Sequence, residues 1–202
     1  GLLIQTPIKS KANKVTILAT GPSLNKWNKK VNHDEIIIGV NGIVEDETLI
    51  QLVDYLIIED KKAFKNYKHK LISIDCKIIL PVDLSLKKNV IKIPFVRLVG
   101  LKLFGFYLSR FFYTWGGTVT YLALQIANRM GAKEIHLCGV DMYVEKSHYK
   151  NNYYHKDKEW NIPDVQRMIR FMEWIIIRFQ KKGIKITSES EYFNYLGVNQ
   201  KK

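Results

Sequence analysis

Short runs of consecutive apolar, largely β-branched residues recur along this chain, and each is stopped at its carboxyl end by small or polar residues. Val15-Thr-Ile-Leu-Ala19 runs into Thr20-Gly21-Pro22-Ser23-Leu24, Ile36-Ile-Ile-Gly-Val40 into Asn41-Gly42, and Tyr55-Leu-Ile-Ile58 into Glu59-Asp60. Lys77-Ile-Ile-Leu80 is stopped by Pro81, and Ile135-His-Leu-Cys-Gly-Val140 delivers Asp141, Met142 and Tyr143. A strand with one wet face alternates apolar and polar residues. A continuous apolar run instead predicts a strand buried on both faces, the habit of a parallel sheet covered by helices.

Helical signals fall between these runs. Gly116-Gly117-Thr118-Val-Thr120 opens a segment whose apolar residues Leu122, Leu124, Ile126 and Met130 end at Gly131, as a helix with a C-terminal glycine does. A second helix is expected from Pro163-Asp164 through Lys182, with Met168, Phe171, Met172, Ile175 and Phe179 on one face and Gly183 closing it; Ile184-Lys-Ile186 then forms the last strand. The reading is an α/β chain with a Rossmann-like open, mostly parallel sheet and helices on both faces. Residues 1–13 form a peripheral lead-in and 14–202 a single domain. The polar, aromatic stretch at about 144–162 is longer than most connections and is expected to be a lid. The apolar, aromatic and basic stretch from Ile91 to Tyr113 fits no single element.

With 202 residues, 47% hydrophobic and 25% charged, the chain is long enough for one well-buried core and too apolar for disorder. The surplus of Lys and Arg gives a formal charge of +13, which attracts polyanions without choosing among nucleic acid, anionic lipid and a nucleotide substrate. Cys76 and Cys138 have neither disulfide-framework nor metal-ligand spacing, so a reducing, cytoplasmic setting is expected, with the inner face of the membrane as a peripheral alternative. No apolar run is long enough to span a bilayer.

In doubly wound sheets ligands bind outside the carboxyl ends of the strands, and Thr20-Gly21, Asn41-Gly42, Glu59-Asp60, Asp141-Met142-Tyr143 and Thr187-Ser188-Glu189 gather there. Gly21 removes a side chain where backbone amides could approach a phosphate, and Ser23 could cap a following helix; a plain tight turn explains the same residues. Gly116, Gly117 and Thr118 offer bare amides at a helix start, unless the glycines only permit close packing. No Walker loop and no G-x-G-x-x-G fingerprint is present. Of five histidines, His136 lies within a strand run and reads as a satisfied core histidine, whereas His148 and His155 lie in the long polar stretch and could act as general bases. No metal ligand set and no cofactor are expected.

The segments Ile17-Leu-Ala-Thr-Gly-Pro-Ser-Leu24, Val40-Asn41 and Gly116-Gly-Thr-Val-Thr…Gly131-Ala-Lys-Glu-Ile-His-Leu-Cys-Gly-Val-Asp-Met-Tyr143 resemble the bacterial sialyltransferases of glycosyltransferase family 42. They also resemble the related 6-hydroxymethylpterin diphosphokinase-like domains of polysaccharide and flagellin-glycosylation gene clusters. The resemblance covers most of residues 14–190, is strongest over 116–143, and implies a GT-A-like variant of the fold. It implies metal-independent, inverting transfer of a sugar from a CMP-activated donor to a glycan or glycolipid acceptor. By position, Gly21, Pro22 and Ser23 would line the cytidine phosphate, Asn41 would meet the nucleotide, and Gly139, Val140 and Asp141 would hold the base or ribose. Tyr143 would touch the phosphate, and His155, with His148 as second choice, would be the base in a Ser147-His148-Tyr149…His155 stretch. The aromatic and basic stretch 95–113 could contact a membrane surface, a homo-oligomer is consistent with the resemblance, and nucleic acid is not an expected partner.

Three departures qualify it. Thr20 stands where an asparagine is expected, Glu59-Asp60 replaces another asparagine, and the chain is shorter around the lid. An acidic pair repels a diphosphate unless a cation intervenes, which keeps a magnesium-dependent pterin diphosphokinase-like reaction as the alternative. A basic nucleic-acid-binding module rests on charge alone.

Overall fold

The computed structural model describes residues 12–86, 90–96, 113–142 and 162–199, with backbone only at 95, 96 and 162–164. Strands β1 (Lys14–Leu18), β2 (Glu35–Val40), β3 (Tyr55–Ile57), β4 (Lys77–Pro81), β5 (Val90–Ile93), β8 (Glu134–Cys138) and β9 (Lys185–Ser188) form one seven-stranded sheet, ordered β5-β4-β3-β2-β1-β8-β9. Every pairing in it is parallel; β1 sits between β2 and β8, with Thr16 opposite Ile37 on one side and His136 on the other. The central runs are buried on both faces, as continuous apolar strands require.

Two apolar clusters lie on the two faces. Ile17, Ile38, Ile57 and Leu137 pack with the helices α3 (Val119–Arg129) and α4 (Ile162–Lys181); Leu18, Ile37, Leu56 and Cys138 pack with α1 (Glu47–Ile50) and α2 (Lys61–Leu71). The helix ends follow local chemistry. Asp46 accepts from the amides of Thr48 and Leu49 at the start of α1, Asp60 from Ala63 at the start of α2, and Thr118 from Thr120 at the start of α3. Gly131 and Gly183, beyond α3 and α4, take φ of +84° and +81°, the left-handed conformation that glycine adopts without cost.

The fold is thus the open parallel sheet with helices on both faces that the apolar runs predict; α4 lies within one residue of its expected bounds, and α3 begins within the expected Gly116–Thr120 opening and ends two residues before Gly131. Three details differ. Pro81 is the last residue of β4 rather than the residue that stops it, a position where its missing N–H interrupts the ladder only at the strand's end. The unassigned stretch splits: Val90–Ile93 completes the edge of the main sheet, while Phe95–Val96 (β6) pairs in parallel with Tyr113–Thr114 (β7). Residues 97–112, and the expected lid up to its junction with α4, lie outside the described residues. Among the described residues no helix is long and apolar enough to cross a membrane.

A polar row crosses the α1/α2 face. The Glu35 carboxylate, 1% exposed as a side chain, takes a hydrogen bond from Thr16 Oγ1, a second from the Asn32 amide at 3.3 Å, and pairs with Lys14 at 3.2 Å. Burial raises its pKa, and these hydrogen bonds together with Lys14 outweigh burial, leaving the carboxyl below its ordinary value. At the far edge the Asn199 side-chain amide accepts from Ser188 N at 2.8 Å and donates to Ser188 O at 2.9 Å, so a side chain substitutes for a further strand on β9.

Candidate functional site at the strand-order switch

The chain adds β2 to β5 successively on one side of β1 and places β8 and β9 on the other, so the strand order reverses between β1 and β8. Open α/β sheets hold their ligands at such a reversal, beyond the carboxyl ends of the strands. Two turns meet there, Ala19–Ser23 after β1 and Gly139–Asp141 after β8.

They are joined by four hydrogen bonds. Ala19 N donates to Cys138 O at 2.8 Å and Gly21 N to Gly139 O at 2.8 Å. In return Gly139 N donates to Ser23 Oγ at 3.1 Å, and Ser23 N donates to Asp141 Oδ2 at 2.8 Å. Ser23 therefore links the turns instead of capping a helix: the short 3-10 turn Pro22–Lys26 is preceded by Gly21, with no side-chain cap. The bare backbone expected to face a phosphate at Gly21 and Ser23 is already engaged within the protein. Gly139 has φ +71°, and a β-carbon on it would lie 2.0 Å from Ala19 O, so the turn after β8 admits only glycine.

Asn41 stands at the next strand end, two residues beyond Gly39, the partner of Leu18. Its φ is +42°, a left-handed backbone that asparagine tolerates better than most residues. Its side-chain Oδ1 is buried without a hydrogen-bond partner among the described residues. An orphaned buried carbonyl costs about 1–3 kcal/mol, so a donor from outside the described residues is the natural complement.

Glu59 is buried after β3. Asp60, expected with it to face substrate, caps α2, its Oδ1 holding the Ala63 amide at 2.7 Å. Packing also accounts for the glycine pair before α3. A β-carbon on Gly116 would meet the Tyr121 ring at 2.1 Å, and Gly117, with φ +81°, would meet Met168 of α4 at 2.7 Å. Met142 and Val140 are buried, and Thr118 is the α3 cap. Tyr143, His148 and His155 lie outside the described residues.

His136 is hydrogen-bonded as a strand histidine should be, through Nδ1 to Thr187 Oγ1 at 2.8 Å and through Nε2 to Glu189 Oε1 at 3.0 Å. Its grouping with Cys138 and Glu189 does not follow from the cysteine spacing. The readable signal is the His-x-Cys step on a strand, which puts both side chains on one face. Burial, then the charges of Glu189 and Glu35, push the Cys138 thiol up. A separate open groove of about 850 Å³ lies at the amino ends of β3 and β4, between Glu47, Asp54, Lys70 and Cys76, away from the switch.

A family model described as 6-hydroxymethylpterin diphosphokinase MptE-like matches residues 3–147, more than half of the chain. No curated protein matches it. Among solved structures, the chain resembles the sialyltransferase CstII from Campylobacter jejuni in complex with cytidine-5'-monophosphate, at 16% identity and a TM-score of 0.54, covering 95% of this chain and 86% of that one. An asparagine-to-alanine variant of CST-II in complex with CMP is matched with the same identity and TM-score over 93% of this chain and 86% of that chain. At such identities the likeness is one of fold.

Proposed function

The chain belongs to the 6-hydroxymethylpterin diphosphokinase MptE-like family, and within it we propose that this chain binds a nucleotide at the β1–β8 switch and is a glycosyltransferase using a CMP-activated sugar. The observation that carries this reading is the buried, partnerless Asn41 Oδ1, orphaned among the described residues, at the strand edge beside two interlocked turns. A base or ribose donor satisfies that oxygen. The neighbouring fold is that of a sialyltransferase described with CMP, and this supports a cytidine nucleotide over others.

In this reading the turns at Gly21–Ser23 and Gly139–Asp141 shape the cleft, and Thr20 and Met142 border it. His155, with His148 as the second candidate, takes the proton of the acceptor hydroxyl, while Tyr143 hydrogen-bonds the departing phosphate as the anomeric bond breaks. The acceptor is a hydroxyl of a glycan or glycolipid, attacked with inversion and without a metal in the reaction.

The family description favours a second reading, magnesium-dependent diphosphate transfer to a pterin. The residues fit it less well. The carboxylate pairs that could hold the cation are Glu59-Asp60 and Asp157/Glu159; Asp60 Oδ1 is engaged in the α2 cap, and the second pair lies outside the described residues. Thermal shifts with CMP, CDP, UDP, GDP and ATP, each with and without magnesium, separate the two, since a ligand of the folded state raises its melting temperature. Stabilisation by CMP regardless of magnesium supports the glycosyltransferase. A magnesium-dependent response to ATP alone replaces it with the diphosphokinase, and no response to any nucleotide removes both.

A further inference from the structure

We infer that His136, Cys138 and Glu189 form a binding site for a thiophilic divalent cation, zinc by preference, on the sheet face opposite α3 and α4. His136 and Cys138 are two apart on β8 and share a face. Glu189 follows β9, and its amide donates to Leu137 O at 2.9 Å, continuing the ladder so that Glu189 falls beside Cys138. One nitrogen, one sulfur and one oxygen ligand atom lie within 4.8 Å of one another. Zinc with legs of about 2.0–2.3 Å at tetrahedral angles brings its ligands to about 3.3–3.8 Å apart. His136 Nε2 and Glu189 Oε1 are already closer than that, at 3.0 Å, and side-chain rotation closes the remainder.

The surroundings match a metal site in two further ways. Thr187 Oγ1 holds His136 Nδ1 at 2.8 Å, an outer contact of the kind that fixes a ligating imidazole, and it leaves Nε2 on Glu189 Oε1 at 3.0 Å, where a cation would replace the shared proton. The donor set is a thiol, an imidazole and one carboxylate, which suits zinc and not magnesium or calcium, whose sites are built from oxygens. Cys138 is fully buried, while the side chains of His136 and Glu189 are 17% and 26% exposed, so a cation can enter from solvent and keep a fourth position open. Cys138 immediately precedes Gly139, and a metal there anchors the strand end from which the second turn of the switch departs. This inference does not depend on the nucleotide reading.

The test uses the full chain stripped with chelator and titrated with Co(II), then Zn(II). One cobalt per chain is expected, with tetrahedral visible bands and a sulfur-to-cobalt charge-transfer band, displaced by one zinc. Cys138→Ser should abolish the charge-transfer band and weaken zinc by at least roughly tenfold, His136→Gln should weaken it similarly, and Cys76→Ser should change neither. Circular dichroism and urea midpoints of the metal-free variants report folding; if Cys138→Ser does not fold, the partly exposed Glu189→Gln carries the affinity test. Absence of stoichiometric binding, or binding indifferent to Cys138 and Glu189, overturns the site.

Discussion

A β-carbon on Gly21 would lie 2.4 Å from the Asp141 carboxylate and 2.5 Å from Gly139 O. The turn after β1 is glycine because the turn after β8 occupies the space of a side chain. Gly21→Ala should therefore force the turns apart and destabilise the domain by about 1–3 kcal/mol, the usual range for overpacking against backbone. Urea unfolding measures it, and an unchanged midpoint would show that the turns are not locked together. Asp141→Ala removes the acceptor of Ser23 N at 2.8 Å and should cost about 1 kcal/mol.

Asp60 gives a sharper separation of structural and functional roles. Its Oδ1 caps α2 through the Ala63 amide, so Asp60→Ala should lower stability by about 1 kcal/mol. Affinity for the stabilising nucleotide, measured by calorimetry on the folded variant, should change by less than about twofold; the variant loses a helix cap and no ligand contact. A tenfold loss would return Asp60 to the substrate-binding role its place after β3 implied.

Glu35 predicts an acid-sensitive fold. Its carboxyl sits below the ordinary value in the native state, so the unfolded chain binds the proton more readily. The stabilisation is fully present above the unfolded value near 4.5 and is lost as pH falls through the lower native value. Unfolding free energy measured from pH 6 downward should fall below about pH 4.5, and Glu35→Gln should flatten that fall while lowering stability at pH 7. A Gln variant with the wild-type slope below that pH would assign the acid sensitivity elsewhere.

The sheet is legible in the sequence because its central strands are buried on both faces and carry continuous apolar runs, as at Val15–Leu18 and Tyr55–Ile57. The carboxyl-edge residues are legible because each apolar run ends in small or polar residues, such as Asn41-Gly42 and Glu59-Asp60, where the strand gives way to a turn. Which of them serve the fold is not. Gly116 also leaves room for the Tyr121 ring, and Asp60 also caps the Ala63 amide. The Asp60 cap is a local step that an Asp three residues before Ala63 does signal, whereas the approaches of Gly21 to Asp141 and of Gly117 to Met168 depend on how distant segments meet, which local pattern does not encode. The pairing of Cys138 with Glu189 spans two strands and is hidden for the same reason, although the His136-x-Cys138 step carries half of it.

Asn41 isolates the ligand contact from the fold. Its left-handed backbone is one that glycine adopts freely, so Asn41→Gly preserves the chain path while deleting the buried oxygen. In the absence of ligand that oxygen has no hydrogen bond among the described residues, and removing an unsatisfied group costs nothing in lost partners. Stability should then change by less than about 1 kcal/mol in either direction. With the nucleotide bound, the same deletion removes a hydrogen bond and should weaken binding roughly three- to tenfold. Calorimetric titration of CMP into both proteins, paired with their urea midpoints, reads the two effects separately. Equal affinities would remove Asn41 from the nucleotide site, whereas a large fall in stability would mean that a protein group, rather than a ligand, satisfies its oxygen.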